Sequence, residues 1–429
     1  MSIKKTVLNF NLKKTKEKMI ARSGVAMFSE FLHSMHLPNI VNKIMPKTLS
    51  NSGFDAWDYI HTLLLTLYGG GEGISDTREI KRDKALREIC NIPIVPSESA
   101  IGDWMRRMGD QSQEICIKKV NQKILMEIFR KKNIKEVTLI NDPSVIISNK
   151  RDAKMTYKGH KGYRPAMIFI KELNMIALCE FRHGNDNGRR FEFFNEIFKI
   201  IPSDIKIKLV LMDSEFYDGK IFSLLMKKNI DFIIAVSKNS SVNKEINKIS
   251  DAKWEKCKDE DGVSSNREVA ETVHVMNSCP TPFRLVVLRW KNSKVSSGYC
   301  YHALATTIKK DSIQQIVSKY NSRACGENDI KELKNGFGMR KMPCGDFYAN
   351  AIFFGIGVLC YNLFSAQKFL SMPKNFWKKT IKTIRWILVE IPGKVISTAT
   401  ETTLKIAVHN DKFEIFKYMR RKNYDLSIT

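Results

Sequence analysis

The stretch Tyr320 to Lys334, YNSRACGENDIKELK, sets the strongest condition on how this chain folds. Asp311 and Ser312, with Gln314 and Gln315 three residues on, form a helix N-cap ahead of it, and Asn335-Gly336 forms a helix stop behind it. At about 100° per residue, Tyr320, Arg323, Glu327 and Lys334 fall within a sector roughly 60° wide. Ile330, Leu333 and Phe337 make an apolar stripe to one side, and Ile316 ends the polar sector one turn earlier. A packed helix ordinarily keeps such a sector apolar. Here it carries a phenol, two cations and a carboxylate.

Charge is the next constraint. Lys and Arg number 71 against 45 Asp and Glu, a formal balance of +26 in 429 residues. The excess is spread along the chain, which favours a broad surface facing a polyanion, nucleic acid ahead of an anionic membrane. Nine cysteines show no CxxC pair and no zinc spacing, so they read as reduced thiols of a cytoplasmic protein. No apolar leader is visible in MSIKKTVLNFNLKKTKEK. Tyr348 to Leu370 is the one stretch near membrane-span length. Asn350, Asn362, Gln367 and Lys368 interrupt it, so a buried core helix is expected and no membrane partner.

The period is helical in short pieces from Val25 to about Lys132, after a basic N-terminal strand or arm. Within it, VPSESAIGDWMRRMGD caps a short amphipathic helix bearing Arg106 and Arg107, either the second helix of a helix-turn-helix or an ordinary bundle helix. At Glu136 the period becomes strand-like. EVTLIND and VIISN read as one interrupted strand, PAMIFIKEL and MIALCEFRH as a hairpin across Asn174, and IKIKLVLMD and DFIIAV as buried strands separated by helices. Periodicity alone gives α/β. A polar run after Ser237 leads to the strands REVAETVHVM, FRLVVLRW and YCYHALATT, and the end of the chain reads as a hairpin turning at Pro392-Gly393 and a basic segment.

The pattern Y-x-x-R-x-x-x-E-x-x-x-x-x-x-K, together with GFGMRKMPCGDFYANAIFFGIGVLCYNLF behind it, resembles the DDE transposases of bacterial insertion sequences, in the family-four-like branch with this signature. The resemblance implies an α/β, ribonuclease-H-like catalytic domain with a β-rich insertion, preceded by an all-helical DNA-binding region. The segments are then 1–132 for the helical region, 133–237 and 310–371 for the two parts of the core, 238–309 for the insertion and 372–429 for a tail. It further implies metal-dependent cleavage at transposon ends with strand transfer, using two Mg2+ ions for which Mn2+ substitutes. The partners are double-stranded DNA, as terminal inverted repeats and target, and a second copy of the chain when on DNA, at the nucleoid.

Two-metal phosphodiester chemistry needs carboxylates that converge, which places them at strand ends and on a helix crossing the sheet. Asp142 sits one residue beyond an apolar run in TLINDPSVII, and Asp213 ends KLVLMD. Glu327 is the third. Glu215, Asp218 and Asp152 are rivals, but Asp213 alone directly ends an apolar strand. A turn aspartate at Asp142 and a helix cap at Asp213 are the plainer readings. By the resemblance, Tyr320, Arg323 and Lys334 contact DNA phosphates, and Trp290, at the end of an insertion strand, stacks on a flipped base. Lys161 and Arg164 lie along DNA. A DNA-binding protein without activity, a structure-selective nuclease of the same fold and a charge-driven RNA or membrane binder are the rival functions.

Overall fold

The computed structural model describes residues 7–428 apart from 9, 48–52, 187, 238, 259–262 and 295–297. The start of the N-terminal arm and parts of the polar run after Ser237 lie outside the described residues. The chain forms two compact units, one of residues 1–42, 46–101 and 367–429, the other of 43–45 and 102–366. The first unit opens with the two-residue strand β1 (Met19–Ile20) and the helices α1 (Ser23–Ser34), α2 (Leu37–Ile44), α3 (Ala56–Tyr68), α4 (Thr77–Arg82) and α5 (Lys84–Ile89). α6 (Glu98–Asp110), the capped segment with Arg106 and Arg107, begins in the first unit and ends in the second, which also holds the long α7 (Glu114–Lys132).

The second unit is built on a sheet. Its strands begin with β2 (Glu136–Pro143), β3 (Ile146–Ile147), β4 (Lys154–Met155), β5 (Lys161–Tyr163), β6 (Ala166–Ile170) and β7 (Met175–Glu180). Next are α8 (Arg190–Ile200), β8 (Lys206–Met212), α9 (Gly219–Lys227), β9 (Asp231–Ala235) and α10 (Ser240–Asn247). The later strands are β10 (Glu255–Lys258), β11 (Ser264–Met276), β12 (Cys279–Lys291) and β13 (Tyr299–Thr306). Helices α11 (Ile313–Asn321), α12 (Ala324–Gly336) and α13 (Phe347–Leu370) follow. Among the described residues, nine strands share one sheet in the order β10-β11-β12-β13-β9-β8-β2-β6-β7. β2, β8 and β9 are parallel, while β6 runs against both β2 and β7. The later β-rich strands therefore extend the central sheet through β13 against β9. The expected hairpin across Asn174 is present, and Asn174 takes a left-handed φ of 47°, which asparagine tolerates.

Edge strand β7 shows why polar residues interrupt the apolar α13. The Asn362 Oδ1 accepts from the Ile176 amide at 2.8 Å, and its Nδ2 donates to the Ile176 carbonyl at 2.7 Å and to Asn121 Oδ1 at 2.7 Å. Asn121 Nδ2 also donates to that carbonyl, at 3.1 Å. At Ile176 these amides supply the partners that a further strand would have given. The most apolar window of α13 is 83% buried, the place of a core helix. Asn362→Leu would leave the buried Ile176 amide and Asn121 Oδ1 without these partners, and we expect a stability loss of about 2–5 kcal/mol by urea unfolding.

Three local expectations are corrected. Ile146 and Ile147 do not continue β2; they pair with β5 in a separate three-stranded sheet, β3-β5-β4, because Pro143 has no amide to carry the ladder onward. The stretch after Ser312 is two helices, joined at Ser322-Arg323 by bonds of three-residue spacing such as Gly326 N to Arg323 O, 2.9 Å. The second of them ends at Gly336, at the expected Asn335-Gly336 stop, with the left-handed Gly338 just beyond. The capping box between Ser312 and Gln315 is as expected. After α14 (Ile381–Ile384), β14 (Gly393–Ser397) and β15 (Thr402–Ile406) form the C-terminal hairpin. It turns between Ser397 and Thr402, while Pro392-Gly393 leads into its first strand. With α15 (Asn410–Ser427), this segment belongs to the first unit, where Arg420 and Asn423 both bond Glu30 of α1.

Candidate active site

Sheet register brings the first two acids together. Asn141 of β2 stands beside Met212 of the parallel β8, so Asp142 and Asp213 leave neighbouring strands at the same end. Neighbouring strands lie about 4.8 Å apart. Asp213 also caps the helical turn Ser214–Phe216, its Oδ1 accepting from Ser214 N at 2.5 Å, so it fills the plainer role as well. Gly326 supplies the third element. A Cβ at Gly326 would lie 2.9 Å from Ile140 Cγ2, so only a glycine lets α12 press this closely on β2. Ile140 and Asp142 point to the same face, two residues apart. Glu327 follows Gly326 and is carried to that edge.

Arg323 binds the group together. Its Nη1 donates to Asp142 Oδ2 at 2.8 Å and its Nη2 to Glu327 Oε1 at 2.8 Å, and its guanidinium stands 5.6 Å from the Tyr320 ring centre. Asp142 is 7% exposed. Burial pushes its carboxyl up to about 6; Arg323 pulls it down, while Asp213 and Glu327 push it up. Burial works against the charge on Arg323, but Asp142, Tyr320, Asp213 and Glu327 hold its pKa above the usual value. The buried Tyr320 phenol is pushed up to about 12. As they stand, no three carboxylate, histidine or cysteine groups among the described residues are grouped to hold an ion. The donors nevertheless fit a hard divalent cation: all are carboxylate oxygens, and a positive group already sits between two of them.

The charge on Asp142 costs stability in the DNA-free protein. Its folded pKa, about 6, lies above the unfolded value of 3.8, so the fold binds the proton more tightly than the open chain. Stability is therefore greatest below the unfolded pKa and is lost as pH rises through the folded one. We expect Asp142→Asn, which keeps an oxygen for Arg323, to stabilise the protein by about 3 kcal/mol at pH 7.5 and by about 1 kcal/mol at pH 4.5. Urea unfolding at the two pH values checks this.

The other named residues are dispersed. Lys334 Nζ donates to the Val145 carbonyl at 2.6 Å, tying the end of α12 to the loop after Asp142, and burial lowers its pKa. Arg164 forms a buried ion pair with Glu215 and packs 5.0 Å from the Tyr157 ring. Lys161 is exposed on β5, as are Arg106 and Arg107 on α6, where Arg106 pairs with Asp103. Trp290 is half-buried with the Arg267 guanidinium 5.3 Å from its ring. Leu288 pairs with His302 and Trp290 with Cys300, which puts Trp290 and His302 on one face of the sheet. His302 in turn meets Tyr320 at 5.9 Å between ring centres. Sequence reasoning missed Gly326, whose signal was a glycine inside a helix, and the bridging role of Arg323, which left none.

Carboxylates at neighbouring strand ends, with a third on a helix across them, define a carboxylate site suited to metal-assisted chemistry on phosphate esters. The family described as transposase DDE domain group 1 matches residues 7–422, and the chain belongs to that family, which is generally dependent on divalent metal. Among solved structures, a cryo-EM structure of a piggyBac transposase synaptic complex with hairpin DNA is similar at 11% identity, covering 95% of this chain and 80% of that one, with a TM-score of 0.45. No curated protein matches the chain.

Proposed function

We propose that this chain is a transposase of the insertion-sequence type, in the branch with the Tyr-Arg-Glu-Lys signature, that cuts DNA at the ends of its element and joins them to a target. The observation that carries the reading is Arg323 clasping Asp142 and Glu327 beside Asp213. The core is read as ribonuclease-H-like. In its favour, the first five main strands, β2, β6, β7, β8 and β9, lie in the order β7-β6-β2-β8-β9 with the second antiparallel to the rest.

In this reading Asp142, Asp213 and Glu327 hold Mg2+, or Mn2+ in its place. When bound, such ions would supply Lewis acidity toward the phosphate and its attacking and leaving oxygens. Tyr320 and Arg323 grip the phosphate beside the cut, since a guanidinium fork matches two phosphate oxygens. Trp290, on the Tyr320 side of the sheet, offers a ring for an unstacked base. Lys161, Arg106 and Arg107 face solvent as backbone contacts. Lys334 and Arg164, engaged inside the fold, brace the segments just after Asp142 and Asp213. The partner is duplex DNA, held by two copies of the chain in the cytoplasm.

Incubating the protein with labelled duplexes copied from the DNA that flanks its coding frame tests this. Mg2+-dependent nicks at one position, followed by joined strands, are the expected result. Nicks that never join would favour a nuclease of the same fold. Salt-sensitive binding without any cut would favour an inactive DNA binder.

A further inference from the structure

We propose that Arg323 gates cation entry: in the DNA-free protein its guanidinium occupies the place of a metal ion, and a phosphate of bound DNA draws it away. The inference rests on the reading of Asp142, Asp213 and Glu327 as the metal-holding acids. Its own ground is the geometry of one fork, whose two ends each lie 2.8 Å from a carboxylate, Asp142 from a strand end and Glu327 from a helix. While the fork stands there, an arriving divalent ion meets a like charge and finds two of three acids engaged.

The two ends of the fork differ in a way that lets DNA release them. The Asp142 side chain is 10% exposed, whereas that of Glu327 is 58% exposed. The outer bond is thus bathed in water and weak, and the inner one is shielded. A phosphate approaching from solvent meets Nη2 first, and its two oxygens suit the fork as well as a carboxylate does. The Tyr320 ring lies 5.6 Å from the guanidinium on its way out. Arg323 also sits at the junction of α11 and α12, just ahead of the first residue of α12, where a small backbone change redirects the side chain. Asp142 is freed for metal only when DNA supplies the replacement anion. The device makes DNA and metal binding mutually reinforcing, and it keeps the DNA-free protein from loading ions.

The test is Mn2+ titration of the full chain, followed by the loss of the free-ion electron paramagnetic resonance signal, with and without a flanking duplex. Without DNA, we expect Arg323→Ala to bind Mn2+ at least about tenfold more tightly than wild type, and the gain to vanish in the Asp142→Asn/Arg323→Ala double variant. The duplex should raise wild-type affinity by about tenfold and that of Arg323→Ala by less than about threefold. Arg323→Gln carries the same expectation should the alanine variant fail to fold. Equal enhancement by DNA in wild type and variant, or equal affinity without DNA, overturns the gate while Asp142-dependent binding still upholds the metal site. Absence of Asp142-dependent Mn2+ binding in every protein, with or without duplex, overturns both.

Discussion

Asp142→Asn, Asp213→Asn and Glu327→Gln should each lower end cleavage by at least about a thousandfold while leaving duplex binding without metal within about threefold of wild type. The loss is large because each acid supplies an oxygen to the same ions, and a site short of one donor cannot hold both in place. For the same reason the losses should not add: a double variant should be little worse than either single one. Glu215 provides the contrast. It lies two residues after Asp213, but Arg164 already engages its carboxylate inside the fold. Glu215→Gln should therefore cost at most about tenfold in cleavage. Single-turnover cleavage of a labelled duplex in Mg2+, with a gel-shift measurement beside it, separates the cases. If Glu215→Gln were as damaging as Asp213→Asn, the assignment of the second acid would move.

That contrast was within reach of the sequence, since Asp213 ends the apolar run KLVLMD and Glu215 does not. Strand-end acids are legible because hydrophobic runs mark buried strands and a charge marks where burial stops. Side-chain partnership is not legible in the same way. Arg323 and Asp142 are 181 residues apart, and no periodicity links them. Nor did the pattern reveal the break between α11 and α12, because both helices follow the same 3.6-residue period and the tightened turn leaves the sector nearly intact. The strand after Pro143 was misplaced for a related reason: β propensity says that Ile146 and Ile147 are extended but not which sheet they join. The turn of the C-terminal hairpin was set at Pro392-Gly393 on turn chemistry alone. Those residues instead lead into β14, where Gly393 lies close beneath Ser23 and Leu404.

Gly326 is where the local cost and the global need are easiest to weigh. A glycine inside a helix gives up about 1 kcal/mol relative to alanine. Here the place of a Cβ is 2.9 Å from Ile140 Cγ2 and 3.9 Å from Phe169 Cδ2, both on fully buried side chains. Gly326→Ala regains the helix propensity and meets overpacking of about 1–3 kcal/mol, so the net loss should be about 0–2 kcal/mol. Gly326→Val adds two more carbons to the same contact and should cost about 2–4 kcal/mol. Activity should fall further than stability. Displacing α12 by about 1 Å moves Glu327 from the strand-end acids, and we expect cleavage by Gly326→Ala to drop about a hundredfold with duplex binding retained. Ile140→Leu removes the branch that the new methyl strikes and nearly conserves volume. Paired with Gly326→Ala, it should restore at least about tenfold of the lost cleavage, a coupling that a remote effect on folding would not give. A double variant no more active than Gly326→Ala would show that closeness to β2 is not what places Glu327.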